Sequence, residues 1–522
     1  MLKTDVGSSS QGMLRLNGHV SSASAIVLYI AALKLLFHLL TANRYGIFRD
    51  ELYYLACAEH LDWGYVDQPP LIALITWFST RAFGSSLLGL RFLPALAGAV
   101  LVWLTGAIAK ELGGGRFARV LAALAVALAP IYLLMHHWMT MNAFEPLIWM
   151  GCVWCIVRAI NTARPWYWFG FGILVGIGIE TKYTIVFFVL GVMIGLLVIR
   201  ERDVLRNRWF WIGALAAFVI FLPNLVWLIQ HNFPFLELMN NIRRTGRDVV
   251  RGPFAFVADQ AMILNPALFP LWFAGLMWLL FGRAASRYRV LAWTYLALLA
   301  TFILLKGKNY YLAPVYPMLF AAGAIVFERL SSPTWKGVRF AYVLTILLIG
   351  VALAPLTAPL LSVETYLRYQ NAFGFEPMRA ENQPTGPLPQ YFADEFGWEE
   401  MTREVARIYN ALPANQRAST AIFANSYGQA GAIDFFGPKY GLPKAISNHQ
   451  SYWLWGPREY TGEIVIVLGS DGTGDREHFN SVEVVGHAQH PYSRLDEHFD
   501  IFLCRGLISD LREFWPQIKN WN

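Results

Sequence analysis

Residues 183–208 read YTIVFFVLGVMIGLLVI (183–199) followed by RERDVLRNR (200–208). Seventeen residues without a charge between Tyr183 and Ile199 approach the length of about 20 that an α-helix needs to cross a bilayer. Four arginines (Arg200, Arg202, Arg206, Arg208) follow at once. An apolar run closed by a short basic loop is the signature of a membrane helix emerging on the cytoplasmic side. The same unit recurs along the chain. Apolar runs centre on 23–41, 87–108, 118–135, 144–160, 166–179, 183–199, 209–229, 267–281, 290–305, 312–327 and 340–360. They predict about eleven helices, within a range of ten to thirteen.

Composition agrees. Of 522 residues, 56% are hydrophobic, 15% aromatic and only 15% charged, where about 25% charged is usual for a soluble domain. A disordered chain, a coiled coil and a single soluble domain are excluded. The net charge of +7 divides unevenly, into +14 over residues 1–362 and −7 over 363–522. The basic excess belongs to a membrane part and gives no reason to expect a nucleic-acid partner. Four cysteines are too few for a disulfide framework. Cys152 and Cys155 share a CxxC spacing inside an apolar run and read as a buried helical pair.

Alternate loops are short and basic: Lys110, Arg116 and Arg119; Arg158 and Arg164; the four arginines above; Arg283, Arg287 and Arg289; Arg329, Lys336 and Arg339. By the positive-inside rule they are cytoplasmic. The expected layout is a cytoplasmic N-terminus (1–22, with Lys3 and Arg15), a retained first span rather than a cleaved leader, and a multi-span domain over 23–362. Long outer loops are expected at 42–86 and 230–266, with helical pieces at 49–60 and 71–83. An extracytoplasmic α/β domain follows at 363–522. Within it, 383–389 reads as a linker, 399–412 as an amphipathic helix, and 420–424, 463–468, 481–485 and 500–504 as strands.

The outer side collects the acidic residues, among them Asp50, Glu51, Glu59, Asp62, Asp67, Glu145, Glu180, Asp248 and Asp259, which predicts a carboxylate-lined cavity. A carboxylate at Asp50-Glu51 suits a general base toward a hydroxyl or amine; it equally suits a helix cap and dipole partner. Glu145 has the same two readings, and His136-His137 is poorly spaced for a metal. Lys182, Lys306, Lys308, Arg243, Arg244, Arg247 and Arg251 lie on the outer side against the charge bias, where a phosphate ligand would compensate them; snorkelling to headgroups is the plain alternative. Gly469–Gly474 matches no nucleotide-binding fingerprint and reads as a turn. Tyr452–Trp455 reads as either a sugar-stacking or a packing surface.

The segments Tyr45-Gly-Ile-Phe-Arg-Asp-Glu-Leu-Tyr-Tyr54 and Tyr65-Val-Asp-Gln-Pro-Pro-Leu71 resemble the first outer loop of polyprenyl-phosphate-dependent membrane glycosyltransferases of the GT-C type. The likeness is to the bacterial branch related to protein O-mannosyltransferases and lipid A aminoarabinose transferases. Gly178–Thr184, Gln230–Phe235 (with His231) and Lys308–Pro317 (with Tyr310) fit the same pattern, so that the resemblance covers roughly residues 20–330. It implies Asp50 as catalytic base, with Glu51, Asp67, Glu145, Lys182, His231, Arg243, Lys306, Lys308 and Tyr310 binding substrate. Lys182 and Lys308 hold the carrier phosphate in this reading. Many relatives carry Asp where this chain offers Glu145, one methylene longer.

The implied activity is transfer of a sugar from a polyprenyl-phosphate donor to lipid A, another glycan or a protein. It would occur at the outer face of the cytoplasmic membrane, with inversion and no cofactor; the residues leave divalent-metal participation open. A transporter or lipid flippase is the competing class, for which Lys34, His38 and Arg91 inside apolar runs would speak, although no inverted repeat is evident. A receptor or scaffold built on the C-terminal domain is a third.

Overall fold

The computed structural model describes residues 22–199, 203–330, 333–374, 376–377, 379 and 381–522. Lys3 and Arg15, with most of the expected cytoplasmic N-terminus, and Arg200 and Arg202 lie outside the described residues. Every apolar run named above is helical. Among the described residues, seven helices are long and apolar enough to cross a membrane: 23–41, 87–111, 141–162, 208–230, 283–304, 309–329 and 336–357. Two further expected spans, Tyr167–Thr181 and Ile185–Val198, have 15 and 14 residues. The 118–135 run is broken: one helix covers Arg116–Leu128, and Pro130, which has no N–H to continue the ladder, opens a second at Pro130–Met135. Pro253–Leu264 and Pro266–Phe281 meet at 102°. The corner is Asn265, at φ 85°, whose side chain accepts the Ala267 N–H.

The outer faces of these helices are apolar. Leu33 and Leu40 on Ser22–Thr41, and Trp211 and Leu215 on Arg208–Gln230, are each more than 60% exposed. Continuous apolar surface of this kind fits lipid and not water. Between helices there is no hydrophobic gain over lipid, so close backbone approach decides packing. Gly275 and Gly323 face each other where Phe269–Phe281 crosses Tyr316–Arg329. A Cβ at Gly323 would fall 1.9 Å from the Leu271 carbonyl oxygen, and one at Gly275 would fall 2.2 Å from that of Leu319.

The C-terminal part contains a five-stranded sheet: β1 Thr420–Ala424, β2 Ile446–Ser447, β3 Ile464–Leu468, β4 Phe479–Ala488 and β5 Phe499–Leu507. The order is β2-β1-β3-β5-β4. β1 pairs with β2 and β3 in parallel, and β5 pairs with β3 and β4 antiparallel. The amphipathic helix Trp398–Ala411 buries Trp398, Met401, Val405 and Ile408. A helix at Tyr427–Phe436, unread in the sequence, crosses from β1 to β2. The fold class is therefore as expected in its outline, a polytopic helical protein with helices of membrane-spanning length and a C-terminal α/β domain.

The sheet domain is not tethered loosely. Leu52 and Tyr53 from the helix Arg49–Glu59 share one buried cluster with Trp398, Ile422, Ala430 and Tyr452. Leu388, inside the stretch read as a linker, is fully buried. The loop 42–86 and the C-terminal domain thus form one core.

Gly323→Leu is expected to destabilise the helix bundle by about 1–3 kcal/mol or more through overpacking. Thermal unfolding in detergent reads it; an unchanged melting temperature would contradict the close crossing.

Candidate active site

The helix Arg49–Glu59 starts the site, and it separates two neighbouring carboxylates completely. Glu51 turns back to cap its own helix: its Oε2 accepts the Phe48 N–H at 3.0 Å. Its Oε1 accepts the Met139 N–H at 2.9 Å. Both oxygens also bind Arg91, with Nη2 at 2.7 Å from Oε2 and Nε at 3.0 Å from Oε1. The Arg91 and Glu51 side chains are 1% and 0% exposed. Arg91 further donates to the Ala42 and Gly46 carbonyls, each at 2.8 Å, and to Glu395 at 3.3 Å. Glu51, expected among the substrate-binding residues, has both oxygens spent on this buried network, and the capping reading fits it.

Asp50 faces the other way. Its Oδ1 accepts the Tyr427 hydroxyl at 2.8 Å, and no bond among the described residues occupies Oδ2. Burial pushes its pKa up from the ordinary aspartate value, while the Tyr427 hydrogen bond, Arg49 and Lys308 pull it down. Asp67 shares this space. Burial drives its pKa up to about 7, against a hydrogen bond from Tyr53, with the Asp50 charge adding to the rise. The Tyr53 hydroxyl donates to Asp67 Oδ1 at 2.8 Å and lies 2.8 Å from Ser451 Oγ.

Two cation centres line the same side. Lys182 and Glu145, read separately in the sequence, form an ion pair at 3.1 Å. Lys182 also donates to Asn142 Oδ1 at 2.7 Å and lies over the Tyr311 and Tyr310 rings, at 4.6 and 5.5 Å from their centroids. Glu145 has its other oxygen hydrogen-bonded by Thr184 and is 2% exposed. It holds Lys182, and each of its oxygens already has a partner.

Lys308 pairs with Asp248 at 3.2 Å. Arg247 lies 3.6 Å from Asp248 and 3.7 Å from Glu381. Burial alone would raise the Glu381 pKa, but Lys308, Arg247, Arg49 and Arg494 outweigh it and hold it at about 2. Asp394 is pushed up to about 7 by burial against Arg494 and Arg49.

Other expected members stand apart. Arg243 is exposed on the helix Pro234–Thr245 and forms no ion pair among the described residues; Arg247, just past the turn at Gly246, takes the place in the cluster that Arg243 was expected to fill. Lys306 is exposed, at φ 55°. His231 stacks on Trp227 at 4.0 Å and bonds its carbonyl at 2.8 Å. Tyr427 and Glu381 are the site residues that sequence reasoning does not single out; Arg247 figures there only among the outer cations, and Arg91 only as a charge inside an apolar run. Glu381 adjoins a stretch that composition marks as linker, and Tyr427 is nearly 380 positions from Asp50, which it contacts.

Among the described residues no group of three or more His, Cys, Asp or Glu side chains is arranged to hold a metal ion. Cys152 and Cys155 are buried free thiols. Tyr452 is buried and donates to Asp434, which fits the packing reading of its segment.

Removing Arg91 leaves Glu51 buried and unpaired. Arg91→Ala should cost about 3–5 kcal/mol, read as a lowered melting temperature in detergent; an unchanged transition would refute the network's structural weight.

Comparison with known proteins adds three findings. A family profile described as dolichyl-phosphate-mannose-protein mannosyltransferase matches residues 67–227. The lipid A galacturonosyltransferase RgtD of Rhizobium johnstonii is 28% identical over 322 residues, covering 59% of this chain and 65% of that protein. This chain therefore matches a little under two thirds of that relative's length. The crystal structure of ArnT from Cupriavidus metallidurans bound to undecaprenyl phosphate superposes with a TM-score of 0.63 at 14% identity, covering 92% of this chain and 98% of that one.

Proposed function

We propose that this chain, which has the membrane fold of ArnT and is related to GT-C glycosyltransferases, transfers a sugar from a polyprenyl-phosphate donor. The acceptor is a hydroxyl or amine on lipid A, another glycan or a protein. The site faces the outer side of the cytoplasmic membrane, with the N-terminus inside and the C-terminal domain periplasmic or extracellular. The basic loops support this orientation. The relatives' names favour lipid A as the first acceptor to test and undecaprenyl phosphate as the carrier.

One observation carries the reading: of the adjacent pair Asp50-Glu51, Glu51 is locked on Arg91, and Asp50 keeps an oxygen open beside Lys308. Asp50 accepts the acceptor's proton as its oxygen or nitrogen attacks the anomeric carbon. The bond from that carbon to the phosphate oxygen breaks on the opposite face, and polyprenyl phosphate leaves. Charge growing on the leaving phosphate meets Lys308 and Lys182, placed in advance and partly desolvated, where such contacts stabilise a transition state most. Lys308 spends one N–H direction on Asp248, and the other two remain for phosphate. A single displacement inverts the anomeric centre; retention would require a carboxylate nucleophile. Asp67, tied through Tyr53, is placed to orient sugar hydroxyls.

Asp50→Asn should abolish transfer of radiolabelled sugar from a polyprenyl-phosphate donor while leaving donor binding intact. Retained turnover would remove the base assignment. Because burial raises the Asp50 pKa and the base must be ionised, kcat/KM should fall as pH drops through that raised value, above the pH at which an ordinary aspartate titrates. An acid limb at the ordinary carboxylate pKa would contradict it. Lys308→Ala should weaken donor binding and turnover together, by about 1.5–3 kcal/mol for a lost charge-assisted bond; unchanged kinetics would exclude Lys308 from phosphate contact.

A further inference from the structure

Tyr427 reaches Asp50 from the C-terminal domain, and its placement is held on every side. It opens the helix Tyr427–Phe436, which packs on Arg49–Glu59 with almost no space between backbones. A Cβ at Gly431 would lie 2.9 Å from the Leu52 carbonyl oxygen, and one at Gly428 would lie 2.8 Å from Arg49 Cγ. The Tyr427 ring stacks on His449 at 5.1 Å, contacts the Tyr53 ring at 4.7 Å and carries the Arg49 guanidinium 4.7 Å from its centroid. Its backbone N–H donates to His449 Nδ1 at 3.1 Å. That ring nitrogen must therefore be unprotonated, which leaves the proton on Nε2, 3.1 Å from the Asn522 carbonyl. Burial and Arg49 hold His449 neutral, at a pKa of about 3, so this anchor survives across the working range of pH.

We propose that Tyr427 is the positioning residue for Asp50, and that the C-terminal domain is thereby part of the catalytic centre and not an appended module. The inference rests on the reading of Asp50 as base. The carboxylate lies within the fields of Arg49 and Tyr54 on its own helix, and of Asp67 on its own loop. Lys308 and Tyr310 face it from the turn after 304, and Glu381, Asp394 and Tyr427 from the C-terminal part. The Tyr427 hydroxyl donates to Oδ1 and so favours the ionised carboxylate. It fixes that oxygen and orients Oδ2 outward, while Lys308 is held by Asp248. Tyr427 itself stays protonated and donating, because burial and the Asp50 charge oppose its ionisation.

The test uses the full-length protein in detergent or nanodiscs, a synthetic polyprenyl-phosphate sugar, and the pH profile of kcat/KM. Losing one hydrogen bond to an ionised carboxylate should move the acid limb of Tyr427→Phe upward by about one to two pH units. Activity should recover toward the wild-type level on the alkaline side, with the donor KM unchanged. A ring-fluorinated tyrosine at 427 keeps the shape and strengthens the donor, so its limb should move downward; this variant decides the matter if Tyr427→Phe fails to fold. Limbs unmoved in both, with Asp50→Asn inactive, would overturn the Tyr427 role alone. Turnover retained by Asp50→Asn would remove the base assignment and this inference with it.

Discussion

The buried guanidinium of Arg91 is the constraint on which the rest of the site depends. It lies on a helix of membrane-spanning length, 1% exposed, and it holds Ala42, Gly46 and Glu51 of the loop 42–86 together with Glu395 of the C-terminal part. Taking a charge out of water is expensive unless its donors are all met. Here the cost is offset by two carboxylates and two backbone carbonyls, and the reward is placement: loop, membrane helix and C-terminal domain are fixed against one group. Gly46, where a Cβ would fall 1.9 Å from the Glu395 carbonyl oxygen, shows how closely the two parts approach.

From that fixed point two adjacent carboxylates acquire different chemistry. Glu51 serves the fold, capping its helix and pairing with Arg91. Asp50, one residue earlier and so about 100° round the helix, projects toward Lys308 and Tyr427. Burial raises its affinity for a proton, which suits a base that must compete for a hydroxyl proton near neutral pH. The same logic separates Glu145 from Asp50: Glu145 is engaged by Lys182 and Thr184, and so steadies the Lys182 cation. Environment, and not residue type, assigns the roles.

The membrane helices were legible from apolar length and basic loops because those signals are local. What composition could not show is where Pro130 and Asn265 break apolar runs, since either side of the break remains apolar. The first-loop motif drew attention to Asp50 and Glu51 together, and only three-dimensional partners divide them. Arg243 and Arg247 are alike in sequence; the helix ends at Thr245, and the turn at Gly246 carries Arg247 to Glu381 while Arg243 stays exposed. Glu381 and Tyr427 come from a region of ordinary soluble composition, and no local pattern marks a contact made across hundreds of residues. Their discovery required the packing of Gly428 and Gly431 against the helix Arg49–Glu59.

The central claim is that Asp50 and the phosphate-binding lysines stand on opposite sides of one anomeric carbon. A structure of the Asp50→Asn protein with an intact polyprenyl-phosphate sugar measures this directly. The account predicts the donor phosphate within hydrogen-bond distance of Lys308 or Lys182, and the residue at 50 on the opposite face of the sugar, in line with the bond to be broken. A phosphate seated away from both lysines, or residue 50 on the phosphate's own side of the sugar, would contradict it.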